Sequence, residues 1–358
     1  MVFAAAGAVG EQLSDLAPAL AFLLAGVPLA ALLDTLGYFD EVADVLGRRR
    51  PDTPVLALWA LAAVTTIVLN LDTTIVLLTP LHLSLARRAH TDPLPLVAIP
   101  LLLASLSSSV LPVSNLTNLI AVEHLDLSVG DVVTHLALPS FVATTVGWLV
   151  YRTRHPLTVH LDVAGTADRR VLTIGSVVVG FVLIGFVLGP SLDIAPWVVA
   201  TVADLGLMVV VRRVPWRDVP IGTAAGVAAV AALLALIVPA DALAGIMGVD
   251  SPIALIGVTG LAAAAANAVN NLPALLVALP AASADSWAMW AWLLGVNVGA
   301  VLLPFGALAN LLWWRFLRAE GEHPTLRSYV ASTVPVAAPA LAAAAITLAV
   351  ERAAGLSA

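Results

Sequence analysis

Residues 69–80 read Leu-Asn-Leu-Asp-Thr-Thr-Ile-Val-Leu-Leu-Thr-Pro, and residues 267–280 read Asn-Ala-Val-Asn-Asn-Leu-Pro-Ala-Leu-Leu-Val-Ala-Leu-Pro. Each sets a knot of amides, hydroxyls or an acid in the middle of an apolar run, 54–86 in the first case and 252–282 in the second. An Asp at the centre of a membrane-inserted helix costs about 2.5–3.5 kcal/mol, so such groups face protein or water and mark a pathway. A single Asn or Thr can instead join helices, for about 0.6–2 kcal/mol. Two clusters at matching places favour a site over glue.

The surrounding chain places both knots in a membrane. Of 358 residues, 61% are hydrophobic and only 11% charged, with a mean hydropathy of +1.02. A soluble domain carries roughly 25% charged residues. Runs at 15–36, 93–122, 131–151, 171–189, 218–238 and 329–349 match the ~30 Å hydrocarbon slab. A soluble enzyme, a nucleic-acid binder and a secreted disulfide scaffold are poor readings; nucleic acid is not an expected partner. The chain has no Cys, which removes disulfides and thiolate ligands, and no Lys, so all 16 cationic residues are Arg. The formal charge of −7 says little, because orientation follows the placement of Arg. Residues 1–10 have no basic segment, and no signal peptide is expected.

Arg falls at 48–50, 87–88, 152–154 with 169–170, 212–217 and 315–327, with Arg352 alone; the connections at 123–131, 190–195, 239–251 and 283–287 have none. Counting every run as a crossing does not alternate between these two sets. Reading 54–86 and 252–282 as re-entrant hairpins does, and leaves every Arg but Arg352 on one side. Two short full crossings per segment would serve as well for everything downstream. The path predicts a multi-pass plasma (inner) membrane protein with its N-terminus outside.

Two further runs read as interrupted helices. In 105–120, Pro112 is followed by Ser114, Asn115, Thr117 and Asn118; in 295–312, Asn297 precedes Pro304, Gly306 and Asn310. Pro removes a backbone donor and clashes with the preceding turn. Unwound backbone at this depth is tolerated only inside protein or beside a water-filled cavity. The pieces repeat. Asn70 and Pro80 are ten apart, as are Asn270 and Pro280, and Pro112-x-x-x-Leu116-x-Asn118-Leu119 matches Pro304-x-x-x-Leu308-x-Asn310-Leu311.

The fold expected is an all-α polytopic membrane protein of inverted-repeat ion transporter type, with two hairpins and two broken helices. The first repeat is 15–152 (hairpin 54–86, broken helix 93–122), and 153–170 is a polar cytoplasmic linker. The second repeat is 171–350, with two leading helices at 171–211, hairpin 252–282 and broken helix 287–316. Residues 37–50 suit an interfacial amphipathic helix. Trp287, Trp290 and Trp292, with Trp313 and Trp314, fit interfacial belts.

The segments 69–80, 111–128, 267–280 and 296–315 resemble the arsenite efflux permeases of the ArsB type, within the ion transporter superfamily, over about Leu16 to Ser332. The resemblance implies export of arsenite or antimonite across the inner membrane, in exchange for protons or with a soluble arsenite-stimulated ATPase, and allows a homodimer. It maps Asp72 onto the acid of the first tip, and Ser114, Asn115 and Asn118 onto the first broken-helix motif. Asn270, Asn271 and Pro273 fall on the second tip, and Asn297, Gly306 and Leu308 on the second broken helix. Two departures stand out. Leu71-Asp72-Thr73 replaces the family's frequent Asn-Asp-Gly, and nothing here matches the two helices that usually precede the segment 15–36.

Arsenous acid is neutral at pH 7 on the family's chemistry, and a neutral trihydroxide needs donors and acceptors, not a counter-ion. The expected binding set is Asn70, Thr73, Thr74, Ser114, Asn115, Thr117, Asn118, Asn267, Asn270, Asn271, Asn297, Gly306 and Asn310, with Asp72 for proton coupling. His82, His135 and Asp204 are weaker proton carriers; His135 reads better as a packing or interfacial residue, and Asp204 could pair with Arg212. No cofactor and no metal site is expected. The rivals are a sodium/proton antiporter, an organic or divalent anion carrier, a channel, and a membrane enzyme. Against the enzyme, the chain has no Gly-x-Ser-x-Gly, His-Glu-x-x-His or paired Asp motif.

Overall fold

A computed structural model describes residues 2–156, 158–162, 168–192 and 194–355 of the chain. Its elements are helices, apart from one short two-stranded ribbon. The chain opens with α1 (Val2–Thr35), which starts well before the run at 15–36; the Ala-rich residues ahead of it carry Gly7 and Gly10 but no Pro. Gly37, at φ +82°, turns the chain into α2 (Tyr38–Arg49). That helix has Asp40 and Glu41 in its first turn and Arg48 and Arg49 in its last, the arrangement that complements a helix dipole.

Hairpin one is α3 (Val55–Val68) and α4 (Leu71–Arg88), reversing at Leu69 and Asn70. The first broken helix is α5 (Pro93–Leu106), a 3-10 turn at Pro112–Ser114, and α6 (Leu116–Leu125). Next come α7 (Val129–Tyr151), α8 (Arg169–Leu188), α9 (Pro196–Val211) and α10 (Ile221–Ile237). After the single turn α11 (Ala244–Met247), hairpin two is α12 (Pro252–Val269) and α13 (Asn271–Ala278). The second broken helix is α14 (Trp287–Val298), a 3-10 segment at Gly299–Leu302, and α15 (Leu308–Ala319); α16 (Leu326–Ala354) closes the chain. Among the described residues, five helices are long and apolar enough to cross a membrane. The chain has an all-α polytopic architecture.

Contacts sort the connections between two ends of the molecule. At one end, Arg87 pairs with Glu320 at 2.9 Å, Arg213 donates to Thr35 Oγ1 at 2.6 Å, and Arg315 donates to the Arg217 carbonyl at 2.9 Å. Arg88 reaches the buried Asp44 of α2 at 3.1 Å, and the Asp168 amide donates to Glu41 at 2.9 Å. At the other end, Arg352 pairs with Asp250 and lies 5.6 Å from the Trp287 ring centre.

Within the linker, β2 (Thr158–His160) pairs antiparallel with β1 (Asp52–Pro54), Thr53 facing Val159. Three residues per strand give too little alternation to read from sequence. Residues 157 and 163–167 of the linker lie outside the described residues. Of the tryptophans expected in an interfacial belt, Trp290, Trp292 and Trp313 are buried instead, while Trp287 and Trp314 stay partly exposed. Trp290 stacks on His135 at 4.4 Å, Trp292 donates to the Ala274 carbonyl at 3.1 Å, and Trp313 donates to the Val97 carbonyl at 2.7 Å. A buried indole N–H takes a partner, and here the partners are backbone carbonyls of neighbouring helices.

Candidate functional site

The two tips are built by capping. Asn70 Oδ1 accepts from the Thr73 amide at 2.7 Å, closing the first turn of α4. Thr74 Oγ1 donates to the Asn70 carbonyl at 3.0 Å and lies 2.9 Å from Thr66 Oγ1, which joins the two arms of hairpin one. Asn270 sits at φ +82° and ψ 149°, outside the left-handed helical well and in a strained region otherwise almost confined to glycine, and it caps α13 through the Leu272 amide.

Each tip is tied to the broken helix of its own repeat. In the first repeat, Ser114 Oγ donates to the Ile67 carbonyl at 2.8 Å. In the second, Asn267 Nδ2 donates to the Gly299 carbonyl at 2.8 Å, and its Oδ1 accepts from the Leu303 amide at 2.7 Å. Asn270 Nδ2 donates to the Phe305 carbonyl at 3.1 Å, and the Asn271 amide donates to the Gly306 carbonyl at 2.9 Å. Gly306 has to be glycine, because a Cβ there would overlap the Ala300 carbonyl oxygen and Asn267 Oδ1.

The breaks themselves repeat in detail. Asn118 Nδ2 donates to the carbonyls of Ser108 and Leu111, at 2.9 and 3.0 Å. Asn310 Nδ2 donates to those of Ala300 and Leu303, at 2.9 and 3.1 Å. Each Asn reaches back ten and seven residues to hold carbonyls that the break has freed from helical partners. The first helix ends at Leu106, ahead of Pro112, because Ser108 and Leu111 are held this way.

Between the repeats stands a node centred on Asn297. Its Nδ2 donates to Asn118 Oδ1 at 2.7 Å and to Ser109 Oγ at 3.2 Å; its Oδ1 accepts from Asn115 Nδ2 at 3.0 Å and from Thr117 Oγ1. Asn115 Nδ2 also donates to Ser108 Oγ at 3.2 Å. These side chains are all buried, and none is charged.

The expected residues therefore form three groups. Asn115, Thr117, Asn118 and Asn297 meet in the node. Asn267, Asn270, Asn271, Gly306 and Asn310 gather around the second break, and Asn70, Thr73, Thr74 and Ser114 around the first tip. Asp72 does not join the node. It faces a hollow of about 410 Å³ with Asn70, Phe22, Leu119 and Phe186, while Asn270 faces another of about 420 Å³ with Thr223, Phe305 and Leu311. Asp72 and the expected binding residues thus do not share one hollow; one hollow lies at each tip.

Three buried oxygens of the expected set have no hydrogen-bond partner among the described residues: Thr73 Oγ1, Asn271 Oδ1 and Asn310 Oδ1. Such atoms need an explanation in a native structure. Sequence reading missed Ser108 and Ser109, whose hydroxyls join the node, although the run Ser107-Ser108-Ser109 ahead of Pro112 was a legible signal. His82 is buried, with Nδ1 2.7 Å from the Leu78 carbonyl and Nε2 unpartnered. Asp204 is buried on α9 with one oxygen unpartnered. His135 packs between Trp287 and Trp290.

A third cavity, of about 260 Å³, lies at the Arg-rich end between α1, α4 and α15, with Asp34, Thr79, Arg213, Arg315 and Glu320 on its walls. On the outer ribbon at that end, His160 Nδ1 lies 3.0 Å from Asp52 Oδ1, and this hydrogen bond raises the imidazole pKa above its ordinary value.

The sequence profile of the family described as "CitMHS: Citrate transporter" matches residues 16–296. Among solved structures, the YdaH transporter of Alcanivorax borkumensis, described as having an unusual topology, is similar at 17% identity and a TM-score of 0.47, over 97% of this chain and 88% of that one. No curated protein matches.

Proposed function

From the premise that this chain belongs to the citrate transporter family, we propose that it is a secondary active transporter exporting arsenite or antimonite, as the neutral trihydroxide, in exchange for protons. The observation that carries this reading is the chemistry of the inter-repeat node. Asn115, Thr117, Asn118 and Asn297 offer amide and hydroxyl groups only, and the partnerless oxygens of Thr73, Asn271 and Asn310 add acceptors without charge. A solute with three O–H groups matches acceptors of this kind, and it needs no buried cation to balance it.

Alternating access would break and remake the node as the repeats move against each other. Amide–amide bonds suit that role, because in membranes each is worth only about 0.6 kcal/mol on average. Asp72, on the only tip that carries an acid, is the proposed proton carrier. The two repeats and their oppositely placed tips are the proposed moving parts, with the Arg-rich end in the cytoplasm.

A second reading is a citrate-type carboxylate carrier, favoured by the family's description and by Arg213 and Arg315 in the cavity beside α4. Uptake into proteoliposomes separates the two. Arsenite or antimonite accumulating under an imposed proton gradient supports the first, and citrate accumulating in their place supports the second.

A further inference from the structure

The two tip hollows are related by the repeat but differ in charge. The hollow of hairpin two has Asn270 and Thr223 as its polar groups and no acid; that of hairpin one has Asp72. Among the described residues no hydrogen bond and no ion pair reaches the Asp72 carboxylate. The rest of the wall is almost wholly apolar, contributed by Phe22 of α1, Leu116 and Leu119 of α6, and Phe186 and Ile194 from the α8–α9 segment. Phe22 and Phe186 meet edge to face, with ring centres 5.6 Å apart at 66°.

We propose that this hollow is a binding site for a lipophilic ammonium ion, a small molecule with one cationic amine head and an aromatic or branched apolar body. Three features set that class. A carboxylate without a partner in apolar surroundings is completed best by a group that brings both positive charge and hydrogen-bond donors. Phe rings within reach of the head add attraction for a cation and none for an anion. At about 410 Å³ the space falls in the range of small-molecule pockets, which are apolar with a few placed polar groups. A lipid acyl chain would fill the walls and leave the acid alone, and an anion would be repelled by it. The site shares Asp72 with the proton route proposed above, but its test reads binding rather than transport, so the two readings fail separately.

Purified full-length protein tests the proposal through its thermal unfolding, followed by its own tryptophan fluorescence. The probes are 4-phenylbutylamine and its uncharged counterpart 4-phenylbutan-1-ol. The amine is expected to raise the unfolding temperature saturably, with at least tenfold weaker binding for the alcohol and at least tenfold weaker amine binding in Asp72→Asn. Ala195→Trp narrows the hollow from the α8–α9 side and is expected to weaken the amine by a similar factor while Asp72 remains. This second variant decides the matter if Asp72→Asn does not fold. Equal binding of amine and alcohol, full amine affinity in either variant, or no saturable shift overturns the proposal.

Discussion

Asn297, on the second broken helix, donates its amide to Asn118, on the first, at 2.7 Å, and both side chains are buried. This bond crosses between the two halves of the chain, and Asn115, Thr117 and Ser109 join it around the same residue. Replacing Asn297 by Ala leaves four polar groups short of a partner. At about 0.6 kcal/mol per bond in a membrane, rising where a buried group is orphaned, the loss is roughly 2–3 kcal/mol. A cycle with Asn118→Ala, read from unfolding in detergent, is expected to show a coupling of about 0.6–1.7 kcal/mol. Strict additivity would mean the contact carries no energy.

Glycine at 306 is a packing requirement. Gly306→Ala drives a methyl group into the Ala300 carbonyl and the Asn267 amide, and so opens the contacts that hold the second tip. Overpacking of this kind costs about 1–3 kcal/mol. Gly257→Ala is the comparison, since a Cβ there meets nothing within 4 Å on a helix that favours Ala. We expect a clear fall in unfolding temperature for the first variant and none for the second. Equal behaviour would mean the tip does not press on the break.

The ribbon at the Arg-rich end should respond to pH. Hydrogen bonding to Asp52 raises the pKa of His160 in the folded protein. A raised folded pKa means the stabilisation is fully present below the ordinary imidazole value of about 6.5 and is lost as pH rises through the folded value. Amide exchange of Val159 and Leu161, at constant global stability, is therefore expected to quicken above that window beyond the intrinsic pH effect. His160→Gln should abolish the extra step. Both groups are well exposed, so the effect is small.

Because the chain has no Cys, single cysteines report sidedness directly. Arg154 follows the end of α7 at Tyr151, whereas Arg352 packs on Trp287, which meets His135 near the start of α7, so Arg154→Cys and Arg352→Cys report from opposite ends of that helix. A membrane-impermeant thiol reagent applied to intact cells is expected to label Cys at 352 and spare Cys at 154. The reverse pattern would invert the orientation that the arginines imply.

The sequence made much of this architecture readable, for a physical reason. Polar residues are so costly in hydrocarbon that Asn70, Asp72, Asn270 and Asn271 stand out at once, and the tips lie where they stand. The spacing of Pro112 to Asn118 and of Pro304 to Asn310 likewise located two breaks that use the same pair of backward hydrogen bonds. What was not legible is which amides bond to which. Asn297 is one Asn in an apolar helix with no local partner, and its four partners come from the far half of the chain. For the same reason the separation of Asp72 from the node was hidden, since spacing along a chain does not say which wall of a helix bundle a tip faces. The tryptophans misled because a lipid interface and a buried carbonyl satisfy an indole equally well.

Proton coupling and solute choice are tested together by transport in everted vesicles or proteoliposomes carrying the purified chain. With a proton gradient imposed, arsenite and antimonite are expected to accumulate on the side from which protons leave. A protonophore should collapse that accumulation, and Asp72→Asn should abolish its dependence on the gradient. Accumulation of citrate with neither arsenical moving, or full proton-driven arsenite transport by Asp72→Asn, would contradict the account.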